Sequence, residues 1–567
     1  MPDWTYHPLR GATAALLGRR RSQRTALRLL ARIGSRPAGA RLIARGFGHR
    51  HPPVSLAGEI AGAPLTVRLG IRVPPSLAHD TVHAMAPLGA GVVEIGPVSS
   101  DDVPAVRAAT ATRTLPVVVH TDDPEIRAAL APHVDGFTGA AEDRTPGEEP
   151  GPAISQGVRR SRPVGPAIPH PFPPKTPGRP ATGPPGAEEP APADRPTAPA
   201  PPRVVRVGDP CVEAAAAVLA EPGAVVIARP EVLVEAGPGW FARVVEAATP
   251  SGGPAPGWRD VGRHPRRWPA WWWALLVGLG MITAGVCAAA ITLGPVLLWY
   301  DRDYLGMTLD DLHAVNHHLV HFLQHDRITM AGTLVSIGTL YTGLAVGGMR
   351  RGRPWAREVL LLSGAVGFPT LFYFLATGYV ETLHTAAAVM LLPMFLAAVR
   401  RRPHASPHGR RVPDGPERER RRALVGQLLL VVTGAGLFVG GAVISAVGLT
   451  GVFVPTDLTY LGTDPRALEA ANSRLVPFIA HDRAGFGGAL MSAAVAIVPL
   501  AAWGWRRGES WVFWTLAVAG ATGFLPAVVV HDSIHYTDFV HLAPVYFGIV
   551  LTAVGLLLSR PYLCARR

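Results

Sequence analysis

From residue 268 onward the chain alternates long apolar runs with short polar breaks. Eight stretches, at 269–300, 328–349, 359–380, 382–399, 423–456, 484–505, 510–530 and 539–559, are nearly free of charge. Each approaches the ~20 residues that a helix needs to cross the hydrocarbon core of a bilayer. The pattern predicts eight spans, the fourth being the shortest and interrupted by Pro393. Ahead of them the pattern changes. Residues 1–50 set Leu16, Leu17, Leu27, Leu29, Leu30, Ile33, Leu42 and Ile43 among arginines, which predicts basic amphipathic helices, either lying on a membrane surface or capping a domain. Residues 51–140 and 203–250 alternate short apolar runs with helical spacing. The runs Leu65–Val67, Val92–Ile95, Leu115–Val119, Val204–Val207 and Ala224–Ile227 predict buried parallel strands. Between the two blocks, residues 141–202 are rich in Pro, Gly, Ala and scattered charge. Such a segment buries too little apolar surface to offset its ordering entropy, and it predicts a disordered linker.

Within the membrane half one stretch occurs twice. Asp301–Arg327, ending NHHLVHFLQHDR, aligns without a gap on Asp457–Arg483, ending NSRLVPFIAHDR. Asn316, His325, Asp326 and Arg327 correspond to Asn472, His481, Asp482 and Arg483, and the match continues through Gly332/Gly488, Trp355/Trp511 and Gly367-Phe368/Gly523-Phe524. This predicts two membrane repeats of four spans, 268–400 and 423–567, joined by a basic loop at 401–422. An even number of spans per copy predicts parallel repeats, related by an axis along the membrane normal.

Composition agrees with a membrane protein: 48% hydrophobic and 17% charged residues. The net charge of +13 is carried by arginine, with Lys175 the only lysine. Outside the first half the arginines flank the apolar runs, which argues for lipid-facing topology and against nucleic acid as partner. Arg350, Arg351, Arg353 and Arg357, the loop at 401–422, and Arg506 and Arg507 fall on one side. Asp301, Asp303, Asp310, Asp311, Glu381, Asp532 and Asp538 fall on the other. The positive-inside rule then predicts a multi-pass protein of the plasma membrane with both termini cytoplasmic. No secretory leader is expected, and Cys211, Cys287 and Cys564 are too scattered for a thiolate metal site or a disulfide framework.

The first half resembles the membrane-associated, quinone-using dihydroorotate dehydrogenases. The resemblance is carried by Trp4-Thr5-Tyr6-His7-Pro8-Leu9-Arg10, by Gly58 and Pro64, by Gly89 to Val98 (GAGVVEIGPV), by Thr145-Pro146-Gly147, by Val207-Gly208-Asp209-Pro210 and by Val234 to Gly239. It implies a reduced β/α barrel, FMN as cofactor held near Gly70, Gly208 and Gly237, and a quinone partner. The departures from the family's pattern bear on activity. Val73 stands where the family has the lysine that helps hold flavin and substrate, and no counterpart of its general-base serine precedes Thr145. Asp209 in the phosphate loop would repel a phosphate. The resemblance therefore implies a fold without its catalytic set and no bound cofactor. The alternative it implies is an FMN-dependent enzyme oxidising dihydroorotate to orotate.

The outer side of the membrane half is rich in histidine. His313, His317, His321 and His325 recur every four residues, which predicts one helix face if Leu309–Arg327 is helical. His531 and His535 repeat that spacing. Three readings stand open: an interfacial amphipathic helix, a metal or haem site drawn from His317, His321, His325, His481, His531 and His535, or proton transfer beside a quinone. A transporter linked to metal or protons belongs to the same group. Asp326 and Asp482 are expected to cap the spans that follow them, with Arg327 and Arg483 as their ion-pair partners.

Overall fold

A computed structural model describes residues 3–47, 52–111, 113–139, 203–249, 253–400 and 415–566. The expected linker at 141–202, the remnant Thr145–Gly147 and most of the basic loop lie outside the described residues.

The first half is built on a parallel sheet. An antiparallel hairpin, β1 (Gly58–Ile60) and β2 (Ala63–Leu65), precedes six parallel strands: β3 (Leu69–Val73), β4 (Val92–Ile95), β5 (Val117–His120), β6 (Gly136–Thr138), β7 (Arg203–Val207) and β8 (Ala224–Ala228). Their order is β6-β5-β4-β3-β8-β7, so chain segments before and after the linker meet where β3 pairs with β8. This is a parallel half-barrel. One face buries Ile71, Val93, Ile95, Val117, Val119 and Val226 against the helices. The other holds Val92, Val118, Val204 and Ile227, which the hairpin covers through Ile60, Ala63 and Leu65. β3 was not among the expected strands, and Leu65–Val67 instead ends the hairpin. The inward-facing Gly70 and Arg72 interrupt the apolar run that marks a buried strand, although β3 lies at the centre of the sheet.

The basic N-terminal segment forms three helices, Asp3–Leu17, Arg19–Gly34 and Pro37–Gly46. Leu27, Leu30 and Ile33 pack on the sheet domain, while Leu16, Leu29 and Leu42 remain exposed.

The second half has eight helices long and apolar enough to cross a membrane. In order they are Ala270–Leu293, Leu319–Arg351, Pro354–Thr377, Thr382–Arg400, Glu417–Leu449, Leu475–Gly504, Ser510–Ser533 and Phe539–Leu563. Each of the eight expected apolar stretches is built around one of these helices, although those at 269–300, 359–380 and 423–456 run on into turns, and the protein is a multi-pass membrane protein. The fifth begins at Glu417, inside the stretch expected to be loop. The second and sixth are central, with 72% and 56% of their apolar windows buried, against 33% or less in the others. The second packs on the first, sixth and seventh; the sixth packs on the fifth, second and third. Outward faces carry exposed Val439, Phe547 and Leu557, as a lipid-facing surface requires. At Gly332 an added Cβ would lie 2.6 Å from the Thr522 carbonyl oxygen, and at Gly488 2.5 Å from the Thr370 Cβ. These glycines let each central span approach a span of the other half.

The two halves of the chain are tied together by ion pairs on the arginine-rich side. Glu246, on the last helix of the sheet domain, meets Arg353 at 3.0 Å and Arg506 at 2.9 Å. Glu509 meets Arg351 at 2.9 Å and Arg353 at 3.3 Å.

Candidate functional site

The repeated stretch folds the same way in both places. A short helix, Trp299–Leu305 or Pro455–Leu461, is followed by Leu309–Val315 or Pro465–Ala471 and then by a central span. The helical segment breaks at Asn316 (φ −160°, ψ 125°) and identically at Asn472 (φ −160°, ψ 117°). Each asparagine reaches across: Asn316 Nδ2 donates to the Leu461 carbonyl at 2.7 Å and Asn472 Nδ2 to the Leu305 carbonyl at 2.8 Å. That break corrects the expected stripe. His313, His317 and His321 still gather, with ring centroids 5.9–6.3 Å apart, but near the surface with His317 exposed; His325 lies apart in the core.

A second correction concerns the aspartates. Asp326 and Asp482 lie well inside their spans, which begin at Leu319 and Leu475, so they cap nothing. The capping carboxylates are Asp301, accepting from Leu298 N at 2.9 Å, and Asp457, accepting from Val454 N at 2.8 Å. Asp326 and Asp482 do keep the expected arginines, but exchanged between copies. Arg327 Nε donates to Asp482 at 2.7 Å, and Arg483 Nε donates to Asp326 at 3.2 Å. Each arginine also meets the capping aspartate of its own copy, Asp301 or Asp457. Each donates as well to a backbone carbonyl, Val296 at 2.7 Å and Val452 at 2.9 Å. Those two valines hold left-handed φ values of 58° and 63°. A β-branched residue there is strained, by about 1–3 kcal/mol, and the guanidinium bond helps to hold it.

Tyrosines complete both centres. Tyr379 donates to Asp301, and Tyr536 donates to Asp457 at 2.8 Å. Burial, reinforced by the neighbouring carboxylates, pushes both phenols above their usual range, so they remain protonated donors. Burial likewise pushes the Asp301 carboxyl up. The buried set comprises Asp301, Asp326, Asp457 and Asp482 against Arg327 and Arg483. Four carboxylates face two guanidiniums. Were all four ionised, two negative charges would remain in a dry environment, so protons or a cation must offset them.

The histidines differ between the centres. His325 and His531 are buried, and with half-buried His541 they bring one ring nitrogen each to within 4.8 Å of the others. His531 Nδ1 lies 2.7 Å from the Ala527 carbonyl oxygen, and His325 Nδ1 contacts the Phe322 carbonyl. A carbonyl only accepts, so both Nδ1 atoms carry the proton, which leaves Nε2 for a ligand. His531 Nε2 is buried with no hydrogen-bond partner. His325 Nε2 faces Asp326 Oδ1 at 3.3 Å, an arrangement of two lone pairs that needs a proton or a metal ion between them. His541 Nδ1 lies 3.3 Å from the Tyr536 hydroxyl. In the other centre, among the described residues, one histidine ring, that of His384, stands beside His481, at a separation of 6.4 Å.

Of the six expected metal ligands, the structure brings together His325 and His531. His481 belongs to the other centre, His321 and exposed His317 to the surface group, and His535 is exposed at a left-handed turn (φ 59°). His541 was among the outer-side histidines but not among the expected ligands. Tyr379 and Tyr536 carried no signal, because they lie 157 positions apart while the gapless match runs at 156.

In the sheet domain, Gly70 lies in β3 against Val92 and Ile227, Gly208 follows β7 beside Arg229, and Gly237 (φ 91°) ends the helix Pro230–Ala236. The inward face carries a polar cluster. Buried Glu94 accepts from Arg206 at 2.7 Å and from Thr138 at 2.6 Å, with Arg72 and His120 beside it. Comparison with protein-family models, with curated proteins and with solved structures finds no match to this chain.

Proposed function

We propose that the protein is a plasma-membrane protein with cytoplasmic termini, whose membrane half holds a divalent transition-metal ion on His325, His531 and His541. The carrying observation is the convergence of these three imidazoles, with two Nδ1 protons fixed on backbone carbonyls, beside a core with more carboxyl groups than guanidiniums. Imidazole suits first-row ions such as zinc, copper, iron or nickel, and Asp326 stands beside His325 as a further oxygen donor. Three protein ligands leave a coordination position open, as catalytic or transport sites do. A bare ion suits three converging imidazoles better than haem, whose iron has only two axial positions for them. The reciprocal Asn, Arg and Gly contacts support two parallel four-span repeats around this core.

The sheet domain is read as a catalytically inactive, reduced β/α barrel. The order β7-β8-β3-β4-β5-β6 is that of an eight-stranded barrel lacking its fifth and sixth strands. On the inward face the Glu94 carboxylate takes both hydrogen bonds of the Arg206 fork and lies 3.7 Å from Arg72, so the Arg206 guanidinium is committed to the domain's own carboxylate and not to an FMN phosphate.

Titration of detergent-purified protein with Co²⁺ tests the metal reading. Visible ligand-field bands that vanish in His531→Phe are expected. Their absence from the unaltered protein at saturating cobalt would contradict it. The second reading, proton-linked transfer between His325 and Asp326, is favoured by their 3.3 Å contact and predicts no such bands.

A further inference from the structure

The centre without a third histidine has a cavity instead. In the second repeat the seventh span continues to Ser533 and delivers His531. In the first, the span Pro354–Thr377 is interrupted after Thr370 by a 3-10 turn and closes with a single helical turn, Phe374–Thr377, before the chain reaches Tyr379. Beside it lies a cavity of about 450 Å³, adjoining a second of about 280 Å³ across shared walls at Ala284, Leu334, His384, Leu391 and His481. Ile291, Met330, Leu334 and Leu391 make the walls apolar. Exposed Leu383 and Met390 stand on the outward face, so the cavity opens toward the lipid.

The polar end has defined chemistry. Asp301 is already held by Tyr379, Arg327 and Leu298 N; Glu381 by Tyr300 and His384 N; Asp482 by Arg327. His481 is different. It is only 9% exposed and lines both cavities; its Nδ1 is enclosed, which leaves Nε2 as the ring nitrogen able to meet a bound head. One imidazole nitrogen offers one hydrogen bond, to a hydroxyl or a carbonyl oxygen. The three lining carboxylates against one engaged guanidinium repel an anionic head.

We propose that this cavity binds a long-chain lipid with an uncharged hydroxyl or carbonyl head, seated by His481 with its tail along Leu334 and Leu391. The site stands apart from the histidine metal centre and does not depend on it. An isoprenoid quinone and a diacylglycerol both have this chemistry.

Binding of a decyl-substituted benzoquinone, a short-chain diacylglycerol and decyl phosphate to the full chain in nanodiscs tests the proposal. Saturable binding of the quinone, the diacylglycerol or both is expected, and which of them binds identifies the source. Decyl phosphate should bind at least tenfold more weakly. His481→Phe and Ala284→Phe should each weaken binding at least tenfold. Ala387→Phe, on a half-buried wall position, serves should Ala284→Phe fail to fold. Cobalt uptake by the Ala284→Phe protein separates failure here from failure of the metal reading. Equal binding of decyl phosphate, or binding unmoved by all variants, would overturn the proposal.

Discussion

The two centres of the membrane half share nearly every contact and differ in one histidine. Arg327, Asp301, Asp482 and Tyr379 repeat as Arg483, Asp457, Asp326 and Tyr536, down to the strained valine whose carbonyl each arginine holds. Glu381 and His384 follow Tyr379 at the spacing with which Asp538 and His541 follow Tyr536. At the position of His531, however, the first copy has Phe374-Leu375, and an apolar cavity lies beside that centre. The comparison separates framework from function. What both centres keep is a buried charge lattice that clamps the copies together; what only one keeps is a candidate ligand set. Buried ion pairs of this kind are poor sources of net stability but are costly to break, so they fix register between the halves.

The largest expected effect tests the shared part. Arg327→Met and Arg483→Met each leave buried carboxylates unpaired and should destabilise the protein by about 3–5 kcal/mol, by nearly equal amounts. Denaturant unfolding in detergent measures both, and markedly unequal costs would break the equivalence.

How much of this was legible in the sequence follows from the same division. The spans were legible because lipid demands about 20 apolar residues from each helix. The Asn, Asp and Arg positions were legible because the duplication preserves them. Their pairing was not, since no pattern along one chain says that Arg327 meets Asp482 rather than the adjacent Asp326. The histidine stripe misled because i, i+4 spacing assumes an unbroken helix, and Asn316 breaks it to reach Leu461. His541 was undervalued because it joins His531 only after the left-handed turn at His535. In the sheet domain, the polar Arg72 hid the central strand.

A smaller effect addresses the difference between the centres. His531→Phe should weaken metal binding by at least about a hundredfold, or about 3 kcal/mol, whereas His384→Phe should leave it unchanged; equilibrium competition with a chelator reads both. The cross-copy clamps come next. Asn316→Ala and Asn472→Ala each leave a carbonyl without its donor and should cost about 1–2 kcal/mol in the same unfolding assay. The smallest effect is in pH. The imidazoles must be neutral to bind, and protons compete with the metal for the same ring nitrogens, so metal retention should fall on acidification. Retention that rises on acidification would contradict imidazole ligation.

Elemental analysis of the detergent-purified full chain, after metal loading and gel filtration, bears most directly on the asymmetry of the two centres. The account predicts about one equivalent of a first-row divalent metal in the unaltered protein and in His384→Phe, and none in His531→Phe. Metal-free unaltered protein, or undiminished metal in His531→Phe, would contradict it.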